Sequence, residues 1–76
     1  MTATNGQVEV LVNGEPLRVP AGSSVADVVA RFAPGLEPGR GTAVALADEV
    51  VPTGSWGSTA VTAGDRLEVL QAVAGG

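Results

Sequence analysis

The residue types that carry most enzyme chemistry are missing from this chain of 76 residues, which has no Cys, His, Lys or Tyr. Its side chains therefore offer no thiolate, imidazole, amine or phenol as a nucleophile or proton carrier. The absence of cysteine also excludes disulfides, thiolate metal sites and a thioester on the protein's own side chain. The groups left for chemistry are carboxylates, hydroxyls and the chain termini.

The C-terminus is the most informative of these groups. A β-prone final segment is followed by Ala74-Gly75-Gly76, with no capping residue or aromatic anchor. We expect these three residues to form a free, flexible tail. Gly75 and Gly76 have no Cβ, so this tail could pass through a narrow channel, and the five residues after Gln71 reach at most roughly 17 Å when extended. A frayed chain end is the alternative interpretation.

Three other features invite a chemical interpretation, and for each we favour a structural one. Asp48-Glu49 is a pair of carboxylates, but neighbours in sequence point apart, so a solvated turn is expected. Gly39-Arg40-Gly41 lacks the spacing of a phosphate-binding loop and does not open a helix. Trp56, the only tryptophan, is expected to pack on the core near Pro52 rather than to anchor a partner.

The charge balance excludes one class of partner. Four Arg against eight acidic residues give a formal charge of −4, the wrong sign for a protein that neutralises phosphates along a nucleic acid. The N-terminal segment MTATNGQ lacks the cationic and apolar regions of a secretory signal, and the longest uncharged stretch is interrupted by Pro and Gly. We therefore expect a cytoplasmic protein that binds neither nucleic acid nor a membrane.

The elements that must hold the C-terminus begin with a hairpin. Valines recur at every second position from Val8 to Val12, the period of a strand. Asn13-Gly14 favours a type I′ turn, which leads into a second strand over residues 15–19. Because Pro16 has no amide to donate, the second strand should lie at the edge of the sheet and the first strand inside it.

A helix follows the hairpin. Ser23 or Ser24 can cap it, and Ser24 with Asp27 resembles a weaker form of the capping box. Apolar residues at helical spacing then form a single stripe that runs to Phe32. Pro34-Gly35 is expected to end the helix.

The remaining elements are short, because turn residues interrupt the apolar runs at close intervals. In chain order we predict a loop over 36–41, a strand over 42–47, a turn at Asp48-Glu49, a brief pairing of Val50-Val51, an irregular segment over 53–59, a turn over 63–65 and a final strand over 66–73.

This order predicts the fold. One helix between a hairpin and the last strands fits a mixed sheet with the helix across one face and the first and last strands parallel at its centre. That is the α+β arrangement called β-grasp, or ubiquitin-like, here with four to five strands. We expect a single domain over 1–76, with an N-terminal extension over 1–7 and a tail over 74–76. The predicted core residues are Val10, Val12, Val28, Phe32, Val44, Leu46, Leu67 and Val69.

Several short segments carry a family resemblance. They are Val12-Asn13-Gly14-Glu15, Pro20-Ala21-Gly22-Ser23-Ser24-Val25, Val44-Ala45-Leu46, Val51-Pro52 with Trp56 just beyond, Gly64-Asp65 and the ending Val73-Ala74-Gly75-Gly76. Together they resemble the ThiS sulfur carrier proteins of thiamine biosynthesis, within the ubiquitin-like MoaD/ThiS family. The resemblance covers nearly the whole chain from about Val8, and departs at the N-terminal extension and the LEPGRG loop.

The resemblance implies that this chain is a carried substrate and not an enzyme. A ubiquitin-activating-type adenylyltransferase would use ATP to adenylate the carboxylate of Gly76. A persulfide sulfur donor would convert the adenylate to a thiocarboxylate, from which a thiazole synthase would take the ring sulfur of thiazole. Ala74 and Gly75 would lead the reactive group into the partner's active site. In this scheme the carrier itself binds no cofactor and no metal.

Two other functions stay open at this stage. The sulfur could serve molybdopterin or another cofactor, because the Gly-Gly ending is shared with the molybdopterin-synthase small subunit and with ubiquitin-like proteins in general. The chain could instead be a ubiquitin-like interaction module or modifier without sulfur chemistry. The absence of Lys counts against polymers built on its own side chains, but not against conjugation to other proteins.

A docking face is also predicted. If Val69 faces the helix, then Glu68, Leu70 and Ala72 face outward, together with Leu11 on the adjacent first strand. An exposed apolar patch on an acidic domain indicates a docking face. The excess of carboxylates over arginines favours a partner whose docking surface is basic. The alternative is a pair of surface leucines without a function.

Overall fold

The computed structural model describes residues 6–35 and 41–71 of the chain. Five strands, one α-helix and one 3₁₀ helix follow one another along these residues. The strands and the α-helix are β1 Gln7–Val12, β2 Glu15–Pro20, α1 Val25–Phe32, β3 Thr42–Leu46, β4 Glu49–Val51 and β5 Arg66–Gln71. The 3₁₀ helix, Thr53–Ser58, lies between β4 and β5 in the chain.

The sheet has five strands in the order β2-β1-β5-β3-β4. β1 and β5 are parallel, with Val12 opposite Leu67, and the other neighbours are antiparallel. The first and last strands therefore lie at the centre, with α1 packed on one face, and the predicted β-grasp arrangement is confirmed. Most of the predicted N-terminal extension and of the loop after α1 falls at 1–5 and 36–40, outside the described residues.

The hairpin of β1 and β2 forms as predicted. Asn13 and Gly14 have φ angles of 52° and 84°, the left-handed values that a type I′ turn requires at both central positions. β2, with Pro16, lies at one edge of the sheet, where proline is tolerated. β1 begins one residue earlier than predicted, because Gln7 already pairs with Pro20.

Ser24, rather than Ser23, caps α1. The Ser24 Oγ accepts a hydrogen bond from the Asp27 amide at 3.1 Å, and the Asp27 carboxylate accepts one from the Ser24 amide at 3.0 Å. These two bonds form a complete capping box. Ser23 is buried and donates its hydroxyl to the Pro20 carbonyl at 2.6 Å. The helix ends before Pro34, as predicted.

The turn predicted at Asp48-Glu49 is wrong by one residue. Ala47 and Asp48 occupy it with φ angles of 51° and 72°, and Glu49 is the first residue of β4. A two-residue type I′ connection needs positive φ at both positions, and an alanine in the sequence does not predict a positive φ. The Ala47 amide donates to the Arg66 carbonyl at 2.9 Å, which holds this turn against β5. Both carboxylates are exposed, as expected.

The core between the sheet and α1 is built mainly of valine. Of the predicted core residues, those that are buried are Val10, Val12, Val28, Val44, Leu67 and Val69. Phe32 and Leu46 are half-buried against this core, because each is the last residue of its element and lies at the rim. The buried apolar residues outside that list of eight are Val19, Val25, Val29, Val51, Trp56 and Val61.

Trp56 completes the core from the 3₁₀ helix. Its side chain is 2% exposed, and its indole N–H donates to the Val51 carbonyl at 2.9 Å. A buried indole requires such a hydrogen-bond partner. The core role predicted for Trp56 is confirmed, whereas the segment around it, predicted to be irregular, is mostly 3₁₀ helix.

We expect Ser24→Ala to lower the free energy of unfolding by about 1 kcal/mol, because it removes the helix cap. Urea denaturation followed by Trp56 fluorescence measures this change. The matched control is Ser58→Ala, which removes an exposed hydroxyl bound to the Ser55 carbonyl and should change the free energy by less than about 0.5 kcal/mol. Equal losses in the two variants would contradict the role assigned to the cap.

Candidate functional site

The C-terminal segment starts from the central strand of the sheet. β5 lies between β1 and β3, and its last described residue is Gln71. Residues 72–76 lie outside the described residues. They include the predicted reactive residue Gly76 and the predicted tail positions Ala74 and Gly75. The structure thus describes the strand that immediately precedes these residues in the chain.

The two faces of β5 are divided as predicted. Val69 is buried on the helix side at 7% exposure, whereas Leu70 is 63% exposed and Glu68 is exposed as well. Leu11 of β1 lies on the outer face but is half-buried. Ala72, the remaining residue of the predicted docking face, lies outside the described residues. The orientation of this face is confirmed, and its role in docking stays a prediction.

The apolar part of the outer face extends from β5 across β3 to β4, whereas the sequence predicted that it extends to β1. Ala43 of β3 lies opposite Leu70, and Val50 of β4 lies opposite Ala45. Val50 is 74% exposed, while Val51 beside it is buried. We call Ala43, Ala45, Val50 and Leu70 the outer-face patch. Only the pairing register of β3 with β4 shows which of the two valines points outward.

Charged side chains border the outer-face patch. A shallow concavity of about 310 Å³ lies beside it on the same face. The concavity is lined by Leu11, Gly14, Ala45, Asp48, Arg66 and Glu68. An apolar patch with a charged border is the usual composition of an interface that forms and dissociates.

Asn13 reaches β5 from the hairpin turn. Its Oδ1 accepts a hydrogen bond from the Val69 amide at 2.8 Å, and its Nδ2 donates to the Val69 carbonyl at 3.2 Å. Its main-chain amide donates to the Leu67 carbonyl at 2.9 Å. The Asn-Gly pair predicts the turn, but no sequence pattern indicates this contact across a separation of 56 residues.

Two kinds of feature are absent from residues 6–35 and 41–71. No three acidic side chains in these ranges come together in a group that could hold a metal ion. None of the helices described there combines the length and the apolar character needed to cross a membrane.

The fold and the site define a class of protein. A mixed sheet with its first and last strands parallel at the centre, one helix on one face and a last strand that leads toward a Gly-Gly ending is typical of ubiquitin-like β-grasp carriers. A family model described as the ThiS family matches residues 4–76. The chain belongs to the ThiS family of sulfur carrier proteins.

A solved structure agrees with this assignment. The chain is similar to the crystal structure of a thiamine biosynthesis protein (ThiS) from Geobacter metallireducens, with a TM-score of 0.72 and 25% sequence identity. The match covers 91% of this chain and 100% of that chain. A comparison with curated proteins finds no match. The resemblance inferred from the sequence is therefore confirmed.

We expect Leu70→Ser to change the free energy of unfolding by less than about 0.5 kcal/mol, because the side chain is mostly exposed. Leu67→Ser, the matched change on the buried face of the same strand, should cost more than about 2 kcal/mol. Urea denaturation measures both. A large loss in Leu70→Ser would mean that the outer face of β5 is covered in the folded protein and is not free to dock.

Proposed function

We propose that this protein carries sulfur for the thiazole ring of thiamine as a thiocarboxylate on Gly76. The observation that carries the proposal is the family match, which extends through residue 76 and therefore includes the Gly-Gly ending. The likeness to a thiamine biosynthesis protein supports the thiazole pathway over other sulfur-transfer pathways. The proposed site of action is the cytoplasm, where the ATP that the pathway consumes is available.

The chemistry requires the chain end, because no side chain of this protein is a suitable sulfur acceptor. A carboxylate is a poor electrophile, so a ubiquitin-activating-type adenylyltransferase joins it to the AMP part of ATP and releases pyrophosphate. The outer sulfur of a persulfide donor then attacks the acyl carbon, and AMP leaves. Attack of a second thiol on the remaining S–S bond forms a disulfide and releases the thiocarboxylate. A thiazole synthase then takes the sulfur. ATP is bound by the activating partner, and the carrier binds no cofactor.

The short distance from the domain to the reactive group limits where the partners dock. Five residues follow Gln71, and they span at most roughly 17 Å when extended. An enzyme that reacts with Gly76 must therefore contact the domain close to the end of β5. The outer-face patch lies there, with Leu70 one residue before Gln71. We propose that the adenylyltransferase docks on this patch and on the neighbouring predicted positions Leu11, Glu68 and Ala72.

The two alternatives from the sequence make different predictions. A carrier for molybdopterin or another cofactor would form the same thiocarboxylate but pass its sulfur to a different acceptor than thiazole synthase. A ubiquitin-like interaction module or modifier would form no thiocarboxylate at all. Intact-mass measurement after incubation with ATP, the activating enzyme and a sulfur donor separates a sulfur carrier of either pathway from an interaction module or modifier, because only a carrier gains the mass difference between sulfur and oxygen.

Removal of Gly76 should abolish ATP–pyrophosphate exchange with the activating enzyme, because the shortened chain then ends in the carboxylate of Gly75, which lies one residue short of the active site. Blocking the carboxylate of Gly76 as an amide should have the same effect. Gly75→Val should also prevent exchange, since a β-branched side chain obstructs passage through a narrow channel. The circular dichroism spectrum and the midpoint of urea unfolding serve as controls and should stay unchanged. Normal ATP–pyrophosphate exchange by the truncated protein would contradict the carrier proposal.

Charge reversal at Glu68 should slow association with the activating enzyme. Glu68 borders the outer-face patch, so Glu68→Lys should lower the association rate constant about tenfold at low ionic strength, and less as salt is raised. Glu15→Lys makes the same charge change at an exposed position opposite Val12, on the helix side of the sheet, and should have little effect. Stopped-flow fluorescence measures both rates. If Leu70→Ser abolishes binding while Glu68→Lys leaves the rate unchanged, docking is an apolar contact.

A further inference from the structure

One contact near the C-terminal segment has no part in the function proposed above. Asn13, in the turn between β1 and β2, uses both polar atoms of its side chain to bind the main chain of Val69, at 2.8 Å and 3.2 Å. Its main-chain amide binds the Leu67 carbonyl at 2.9 Å. Asn13 thus binds both Leu67 and Val69, which follow each other along the edge of β5 that faces β1.

The Asn13 side chain substitutes for a residue that β1 does not supply. After Val12 the chain turns away into β2, which leaves the next positions of β5 without a parallel partner. In a parallel pair, alternate residues of one strand present both N–H and C=O to the neighbour. Val69 is the next such residue after Leu67. A carboxamide has one acceptor and one donor group in the geometry of a peptide, so it satisfies both groups of Val69.

Turn chemistry alone does not require asparagine at this position. Glycine and aspartate also tolerate the left-handed φ of 52° that Asn13 adopts. Glycine would leave both Val69 groups without this partner. Aspartate would retain an acceptor for the Val69 amide but would place a second oxygen against the Val69 carbonyl. The two hydrogen bonds therefore favour a carboxamide specifically.

Val69 lies three residues before the segment 72–76, which carries the proposed reactive carboxylate and is called the reactive segment below. Leu70 of the outer-face patch is the next residue, and Gly76 follows within seven residues, a reach of roughly 24 Å at most. Through Val69, β5 is bonded on both edges. Beyond it, the described pairing continues only with β3, where Thr42 lies opposite Gln71. The part of β5 that precedes residues 72–76 is therefore tied at Val69 to the Asn13 side chain.

We propose that Asn13 is a positioning residue for the reaction at the C-terminus. By holding Val69, it fixes the point and the direction from which the reactive segment extends into the partner's active site. The inference rests on the proposed adenylation of Gly76. Because Asn13 acts on alignment after docking, its loss should lower the rate of the chemical step more than the affinity.

Two substitutions and a stability control test this role. Asn13→Gly keeps the positive φ that the turn needs and removes both side-chain bonds. Asn13→Asp keeps the bond from the Val69 amide and replaces the one to the carbonyl by repulsion. Ser24→Ala removes the hydrogen bond that the Asp27 amide donates to the Ser24 hydroxyl. Ser24 follows the end of β2, at which Pro20 pairs with Gln7. That is the end of the sheet away from Asn13.

In ATP–pyrophosphate exchange with the activating enzyme, we expect Asn13→Gly to lower kcat on the order of tenfold and to change KM by less than about twofold. Asn13→Asp should be intermediate, and Ser24→Ala should match the parent protein. Amide hydrogen exchange gives a readout without the enzyme. The Val69 amide should exchange about five to ten times faster in Asn13→Gly, while the Glu68 amide, which faces β3, keeps its rate.

The outcomes distinguish this inference from the function on which it rests. An unchanged kcat in Asn13→Gly, a loss no greater than that in Ser24→Ala, or an effect confined to KM overturns the positioning role and leaves the carrier function intact. An unchanged exchange rate of the Val69 amide overturns it independently. Failure of the parent protein to support pyrophosphate exchange overturns both proposals. If Asn13→Gly does not fold, Asn13→Asp is judged by the same criteria.

Discussion

The parallel pairing of β1 with β5 is the contact on which the rest of the domain depends. Val12 and Leu67 lie opposite each other at the centre of the sheet, although they belong to opposite ends of the chain. Parallel strands cannot be joined by a tight turn, so the intervening residues form a long crossover that supplies α1, β3 and β4. β3 then pairs with the other edge of β5. The last strand is thereby held between two neighbours.

The core between the sheet and α1 needs more apolar side chains than the helix supplies. α1 has only eight residues, too few to cover the inner face of five strands, and Trp56 and Val61 supply the missing apolar surface. The Val61 amide donates to the Ser23 carbonyl at 2.9 Å, which joins this segment to the start of the helix. Where β1 ends, the Asn13 side chain binds the main chain of Val69 in β5.

Local chemistry made much of this fold predictable, and register made the rest unpredictable. Asn13-Gly14 and the Ser24 cap act through residues close in sequence, so the hairpin and the helix start could be predicted. The left-handed Ala47 and the outward Val50 follow from how β3 pairs with β4, which a short apolar run does not determine. The prediction that Gly76 is the reactive residue came from the chain ending and the family resemblance. The positioning role proposed for Asn13 could be inferred only from its hydrogen bonds to Val69, 56 residues away in the chain.

The proposed reactive chain end would explain why the proposed docking residue Leu70 and the proposed alignment contact at Val69 lie on one strand. In the proposed function the domain contributes by presenting the carboxylate to the activating enzyme. Leu70, on the outer-face patch, and Val69, held by Asn13, are adjacent in β5. A slip of β5 by one residue would turn Leu70 inward and carry Val69 away from Asn13 at once. Docking and alignment would fail together, and the activating enzyme would therefore accept the chain only when its central strand is in register.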